Sequence, residues 1–122
     1  MFEVSNNKVI DKAVQKFVLG WDYNPTFRPS TNFSHAMVVE QHLYTLGYEV
    51  LIRRCASEKC GLLRTGEARH GDFFCNVTKE INGLYKVIRH KSVAPTLPLA
   101  ICCSALKSVG IDIEESLEER LL

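Results

Sequence analysis

The hydrophobic period of the chain changes at Gly47. Before Gly47, apolar residues recur at three- and four-residue intervals in two stretches, 6–19 and 31–46, which is the spacing of amphipathic helices. After it, residues 48–53 alternate in the manner of a strand. A chain that turns from helical to strand periodicity in this way is predicted to form an α+β domain, with helices and strands in separate runs.

The N-terminal half is predicted to hold two helices joined by a loop. The first helix ends at Gly20, and Pro25 and Pro29 keep 21–29 as a loop because proline fixes φ and lacks an N–H donor. The aromatic residues of this loop, Trp21, Tyr23 and Phe27, are expected to fold back onto the core. The second helix is expected to start near Ser30 or Thr31 and to bury one face, formed by Phe33, Ala36, Met37, Val39, Leu43, Tyr44 and Leu46.

The C-terminal half is predicted to hold the sheet and a last helix. Strand patterns cover 48–53, 62–65, 73–79 and 84–89, and Asn82-Gly83 supplies the positive φ values of a two-residue hairpin turn. The last helix runs from Leu97 or Pro98 to 109, where Gly110 stops it. Its apolar face is formed by Leu99, Cys102, Cys103, Leu106 and Val109.

Together these elements predict one domain over 1–122 with the order α-α-β-β-β-β-α. A three- to four-stranded antiparallel meander would pack against three helices, and helices on one side only would leave the other face of the sheet open. The segment 112–122 carries five acidic residues and either docks on the domain or another copy, or frays.

Composition excludes several classes of function. The 122 residues carry 15 Lys and Arg against 14 Asp and Glu, a net charge of +1, so a strongly basic nucleic-acid coat and a stable DNA complex are not expected. No run of ~18 apolar residues exists, so no membrane partner is expected. The N-terminus has no secretory pattern, which favours the cytoplasm and reduced thiols.

The cysteines leave a zinc site open as an alternative. Cys55, Cys60, His70 and Cys75 could supply four ligands, but the spacing lacks the second clean pair of a zinc finger or ribbon. We therefore expect buried thiols and no metal or cofactor, with Cys102 and Cys103 acting as small hydrophobic residues of the last helix.

Catalytic motifs are not recognisable. His35 and His42 are two helical turns apart and could share a face, but such a pair is far weaker than an H-E-x-x-H metal motif. No histidine accompanies a recognisable nucleophile, and the glycines fit turns better than a phosphate loop. The protein is therefore not expected to be an enzyme.

Charge is distributed unevenly along the chain. Residues 48–91 hold nine Lys and Arg and five Asp and Glu, a net charge of +4, while the C-terminal segment is acidic. Arginine forms bidentate hydrogen bonds with phosphate, and aromatic rings stack on bases. An open sheet face with such side chains predicts a platform for a small anionic ligand. The predicted ligand-binding residues are Arg53, Arg64, Arg69, Phe74, Tyr85 and Arg89.

Two other interpretations of the same residues remain open. Aromatic residues of strands usually belong to the core, and arginine at a sheet edge is usually solvated or guards against aggregation. The basic region could also contact the acidic segment of a second copy, which would make it an oligomer interface.

Three stretches resemble the phage ABA sandwich domain family of small phage and prophage proteins. They are Lys16–Trp21, with its helix ending in Gly-Trp; Asn24–Thr31, with its Pro-Ser-Thr entry to the second helix; and Ala94–Cys102 followed by Ala-Leu-Lys at 105–107. The resemblance covers nearly the whole chain. It implies a sandwich of helices and sheet, a phage origin and a location in the host cytoplasm, and it implies no catalytic residues.

The expected function combines this resemblance with the basic sheet. Several small phage proteins act by binding, and some sequester the cyclic nucleotide signals of bacterial immunity. By analogy the chain is predicted to be a non-enzymatic, homo-oligomeric protein that sequesters such a signal as an anti-defence sponge. The alternatives are a module that inhibits a host protein and a small zinc-binding domain.

Overall fold

The computed structural model describes residues 4–55, 61–80 and 87–112. In chain order its elements are α1 (Val4–Ala13), which continues as a π-helical segment (Val14–Leu19), α2 (Phe33–Thr45), β1 (Glu49–Arg54), α3 (Gly61–Arg64), β2 (Phe73–Glu80), β3 (Val87–Ala94) and α4 (Leu97–Ser108). The α+β class and the antiparallel meander are confirmed, with strand order β1-β2-β3. Three strands are described, and the predicted hairpin turn at Asn82-Gly83 lies outside the described residues.

One predicted strand is wrong. Residues 61–64 form the single helical turn α3, whereas the sequence predicted a strand over 62–65. Four residues are too few for periodicity to separate a helix from a strand, so long-range packing decides. Leu62 and Leu63 both pack against a small buried cluster around Cys55 and Ala68, and a helical turn can direct neighbouring side chains toward one such cluster where a strand would separate them.

The N-cap of α2 lies one or two residues after the predicted start at Ser30 or Thr31. Asn32 is the N-cap, and its side-chain oxygen accepts a hydrogen bond from the backbone N–H of His35 at 3.0 Å. Asparagine is as good a cap as the serine expected there. The backbone N–H of Ser30 instead donates to Asp11, which ties the loop to α1.

The helices stack in two layers on one face of the sheet. α4 packs against β2 and β3, α2 packs against α4 and β1, and α1 with its π-helical extension packs on α4. α4 therefore lies between the sheet and the first helix, and every residue from Pro98 to Leu106 is buried. A helix enclosed on all sides must be apolar around its circumference, which explains the uncharged run 97–106.

The buried face predicted for α2 is only partly correct. Ala36, Val39 and Leu43 are buried as expected, but Phe33 and Tyr44 are 57% and 66% exposed. Leu46 is exposed as well, and Met37 is half-buried. In the loop before α2, Phe27 joins the core, while Trp21 and Tyr23 remain partly exposed.

Burial of Asp11 predicts a pH-dependent gain in stability from Asp11→Asn. The side chain is 6% exposed, and desolvation raises its pKa from 3.8 although the hydrogen bonds from Ser30 act against this. Because the pKa of Asp11 is higher in the native state than in the unfolded chain, its contribution to stability is complete below pH 3.8. That contribution is lost as the pH rises through the native pKa. Asparagine keeps an acceptor for the Ser30 N–H and carries no charge. We expect the variant to have the higher free energy of unfolding at pH 7 and the gap to close near pH 3.8.

Urea denaturation between pH 3.5 and 7.5 measures this difference, because both proteins can be compared at each pH. The matched control is Asp22→Asn in the exposed part of the loop, which should stay within ~0.5 kcal/mol of the wild type throughout. A stability difference between Asp11→Asn and the wild type that stays constant with pH would contradict the raised pKa assigned to Asp11. A lower free energy of unfolding for the variant at pH 7 would contradict it as well.

Candidate functional site

The two faces of the sheet have different environments. On the face toward α2 and α4, Cys75 and Val77 of β2 are fully buried, and Cys75 accepts a hydrogen bond at its backbone oxygen from Ser104 Oγ of α4 at 2.8 Å. Alternate residues of a strand point to opposite faces, so Phe74, Asn76 and Thr78 lie on the other face. We call this second surface the open face.

The strand register arranges the open face in three cross-strand rows. Residues directly opposite on antiparallel strands share a face and lie within side-chain contact distance. Reading from β1 to β3, the rows are Arg53–Phe74–Val93, Leu51–Asn76–Lys91 and Glu49–Thr78–Arg89. The open face therefore carries Arg53 and Phe74 side by side, with Lys91 in the neighbouring row.

α3 and the turn that follows it cover the first row. Leu62 and Leu63 of α3 pack with Phe74 and Val93 of the sheet, around the buried side chains Cys55 and Ala68. The other two rows remain largely uncovered, since Leu51 is 60% exposed and Lys91 and Arg89 are exposed. A concave site forms where the covered row meets the uncovered ones.

This concavity, which we call the sheet groove, has a volume of about 330 Å³. Its lining residues come from β1, α3, the following turn, β2 and β3: Arg53, Gly61, Leu62, Thr65, Glu67, Phe74 and Lys91. An adjoining hollow of about 340 Å³ shares Leu62, Glu67, Phe74 and Lys91, and extends past Ser92 and Val93 to Lys107 of α4. Ligand pockets commonly have volumes of ~300–1,000 Å³, so each hollow is at the small end of that range.

Positive charge predominates along the groove and its extension. Arg53, Lys91 and Lys107 provide three cations, and Glu67 provides one carboxylate. The Lys107 ammonium donates to the backbone oxygen of Lys91 at 2.8 Å, which places these two residues together at the β3 end. The arrangement suits an anion with at least one hydrogen-bond donor for Glu67.

An acceptor without a partner lies in the middle row of the open face. Asn76 Oδ1 is buried and has no hydrogen-bond donor among the described residues. Leaving such an atom unpaired costs ~1–3 kcal/mol. Lys91 lies directly across from Asn76 in the register.

The six predicted ligand-binding residues do not share one cavity. Arg53 and Phe74 line the sheet groove together. Arg64 is exposed at the end of α3, and Arg69 lines a separate hollow of about 550 Å³ beside the start of α4. Arg89 lies on the open face, in a third hollow, and Tyr85 lies outside the described residues. Their role in binding stays a prediction.

The hollow around Arg89 extends the basic character to the edge of β3. It also includes His90, Lys91 and Lys107, with Asp112 as a carboxylate. Burial lowers the pKa of the His90 imidazole, and the nearby Lys107 ammonium lowers it further. His90 therefore adds little charge at neutral pH, and the positive charge here comes from the arginine and the two lysines.

Most of the groove wall was not predicted from the sequence. Lys91 was counted among the basic residues but was not assigned to the site, although its even spacing from Arg89 places both on one face. Leu62 and Thr65 were not assigned to the site because 62–65 was predicted as a strand, and Glu67 comes close to the sheet only because the turn after α3 packs there. Lys107 belongs to α4 and comes close only through the packing of α4 on β3.

The described cysteines behave as core residues. Cys55, Cys75, Cys102 and Cys103 are buried. Desolvation raises the pKa of Cys75 to about 11 and that of Cys102 well above its ordinary value, so both thiols stay protonated. Within the described ranges, no three metal-ligating side chains come together. Cys60, a ligand in the zinc alternative, lies outside them.

His35 has a structural position. Its Nδ1 accepts a hydrogen bond from the backbone N–H of Arg28 at 2.9 Å, and its ring stacks on Phe27 with centroids 4.8 Å apart. These contacts hold the loop against the start of α2.

In the part of the chain that the structure describes, no helix has the length and hydropathy needed to cross a membrane.

The fold is similar to that of a phage protein. The crystal structure of a phage protein from Bacillus cereus ATCC 14579 superimposes with a TM-score of 0.52 at 19% sequence identity, over 92% of this chain and 94% of that one. At this identity the likeness concerns the fold. No protein-family model and no curated protein sequence matches the chain.

Proposed function

We propose that the protein is a phage-encoded, non-enzymatic binding protein that holds a small anionic ligand of nucleotide type in the sheet groove. The observation that carries the proposal is the meeting of Arg53, Lys91 and Phe74 at one concave site on the open face of the sheet. The phage-like fold and the resemblance to the phage ABA sandwich domain family support a phage origin and action in the host cytoplasm.

The chemistry of the groove favours a phosphate next to a ring or sugar. Arg53 and Lys91 can pair with phosphate oxygens, and the exposed part of the half-buried Phe74 ring offers a surface for a base. Glu67 can accept a hydrogen bond from a base amino group or a sugar hydroxyl, and inorganic phosphate has neither a base nor a sugar. A cyclic nucleotide carries a phosphate, a base and a hydrogen-bond donor within one compact molecule. The adjoining hollow provides room for a second nucleotide.

The state of two buried thiols supports sequestration over conversion of the ligand. The thiols of Cys75 and Cys102 are buried and stay protonated, so neither is suited to attack a bound ligand. A protein that binds its ligand without converting it acts stoichiometrically. In a phage-infected cell this would lower the free concentration of a signalling nucleotide and thereby protect the phage from host immunity.

Calorimetric titration with cyclic mononucleotides and cyclic dinucleotides tests the proposal. We expect at least one to bind, and Arg53→Ala and Lys91→Ala each to weaken that binding by ~10–100-fold, the value of a charge-assisted hydrogen bond. Arg64→Ala separates the groove from the wider set of predicted residues, because Arg64 is exposed and lines none of the hollows described above; binding in the groove should leave its affinity unchanged. Mass spectrometry of ligand released from protein purified from signal-producing cells identifies the natural ligand.

Two outcomes would overturn the proposal. One is the absence of binding for every nucleotide tested together with no released small molecule. The other is binding that Arg64→Ala weakens as much as Arg53→Ala and Lys91→Ala do, because the groove would then not be the site. Circular dichroism of each variant separates loss of binding from loss of the fold.

A further inference from the structure

The outer edge of β1 is an exposed strand edge. Within the described residues β1 pairs with β2 on one side only, and five of its six residues are exposed along the strand. Leu51 and Ile52 are 60% and 38% exposed. A long edge with apolar side chains is a template for pairing with another strand, and proteins usually protect such edges.

The opposite edge of the sheet carries such protection. Arg89, His90 and Lys91 follow one another along β3, and the backbone oxygen of Lys91 already accepts a hydrogen bond from Lys107. Consecutive basic side chains oppose the approach of a like strand. β1 also carries two consecutive basic residues, Arg53 and Arg54, but they follow the exposed apolar residues Leu51 and Ile52. β1 is therefore the edge better suited to a partner.

Every second residue of β1 points both its backbone N–H and its C=O toward the outer edge of the sheet. The backbone N–H of Cys55 donates to the backbone oxygen of Asp72, the residue before β2, at 2.7 Å. Because backbone groups of successive strand residues point to opposite sides, Leu51 and Arg53 are directed toward β2 like Cys55. Val50 and Ile52 then direct their N–H and C=O groups outward.

These directions allow a self-complementary register. A second β1 running antiparallel, with its Ile52 opposite Val50 here, would exchange backbone hydrogen bonds through the outward groups. A two-fold axis would then pass beside Leu51, which would meet its own copy on the open face. In the same register Glu49 of each chain lies opposite Arg53 of the other, so two opposite-charge pairs flank the leucines.

We propose that the protein forms a two-fold symmetric dimer through antiparallel pairing of β1 with the β1 of a second copy. The two three-stranded sheets become one sheet of six strands, and the exposed Leu51 side chains bury each other at its centre. Register slips by two residues lose the charge pairs: one places Arg53 opposite Leu51, and the other places Glu49 opposite Leu51. Charge complementarity thus favours a second copy over an unrelated partner.

Analytical ultracentrifugation over a range of protein concentrations tests the dimer. We expect the wild type to dimerise, and Glu49→Arg or Arg53→Glu alone to raise the dimer dissociation constant at least ~10-fold, because each places like charges opposite one another. The double variant Glu49→Arg/Arg53→Glu should restore dimerisation. Leu51→Arg should abolish it, and Glu80→Arg, a charge reversal at the far end of β2 on the same face, should leave it unchanged.

Several outcomes would overturn the dimer. A monomeric wild type at all concentrations would do so, as would a dimer that tolerates both single reversals. Slow hydrogen exchange of the Val50 and Ile52 amides in a monomer would show that another part of the same chain covers the edge. Glu49 and Leu51 do not line the sheet groove, so their variants test the dimer independently of ligand binding.

Discussion

Replacing Gln15 with methionine is expected to lower the free energy of unfolding by about 3 kcal/mol. Gln15 is completely buried in the π-helical segment and holds the loop that follows it. Its Nε2 donates to the backbone oxygens of Asn24 at 3.1 Å and Phe27 at 3.0 Å, and its Oε1 accepts from the Asn24 N–H at 2.7 Å. Methionine has a similar length but leaves these backbone groups without partners.

Chemical denaturation measures the global effect, and limited chymotrypsin digestion measures the local one. Loss of the three hydrogen bonds should free the loop, so cleavage after Trp21 and Tyr23 should become faster than in the wild type. Gln41→Met in the exposed part of α2 is the matched control and should change stability by no more than ~0.5 kcal/mol. Equal stability and equal cleavage for Gln15→Met and wild type would refute the bonding assigned to Gln15.

Gln15 also illustrates what the sequence could not show. In the first helix Gly20 was the correct end, with φ at +72°. Most of the predicted apolar stripe is buried or half-buried, but Phe17, which shares its spacing, is 52% exposed. Nothing in the periodicity marked a glutamine as fully buried, because its burial depends on backbone groups nine and twelve residues away. Those groups become partners only when the loop folds back, which is a tertiary event.

α2 buries fewer of its residues than predicted, and α4 buries more. For α2 the sequence offered more apolar residues than the core uses, and Phe33 and Tyr44 remain exposed. For α4 it predicted one face, but Ala100, Ile101, Ser104 and Ala105 are buried too. Periodicity identifies apolar stripes; it does not determine how many neighbours will pack around a helix. The absence of charge over 97–106 was the available signal for a central helix.

The candidate site was predictable to the extent that it depends on strand alternation. Alternation predicts that Arg53 and Arg54 point to opposite faces, as do Phe73 and Phe74, but it does not predict which of them share a face. The strand register is what makes Arg53 and Phe74 neighbours. The groove also needs a wall, which α3 and its following turn provide. That wall depends on Leu62 and Leu63 reaching Phe74 and Val93 across the sheet, a contact that no local pattern specifies.

The position of α4 between the sheet and the first helix makes Leu106→Ala costly. Leu106 is fully buried near the end of α4, in the main core cluster. Truncation of a fully buried leucine loses apolar contacts and leaves a cavity, which together cost ~2–5 kcal/mol. We expect a loss of about 3 kcal/mol in the free energy of unfolding, measured by urea denaturation with fluorescence of Trp21 and far-UV circular dichroism as separate probes.

Val109→Ala, three residues further along, is the control for this prediction. Val109 is 41% exposed and follows the last turn of α4, so its truncation should cost much less than that of Leu106. The sequence alone placed both residues on the same apolar face. Equal losses for the two variants would therefore support a one-sided helix, whereas a large loss at Leu106 alone supports an α4 that is enclosed on all sides as far as Leu106 and emerges beyond it.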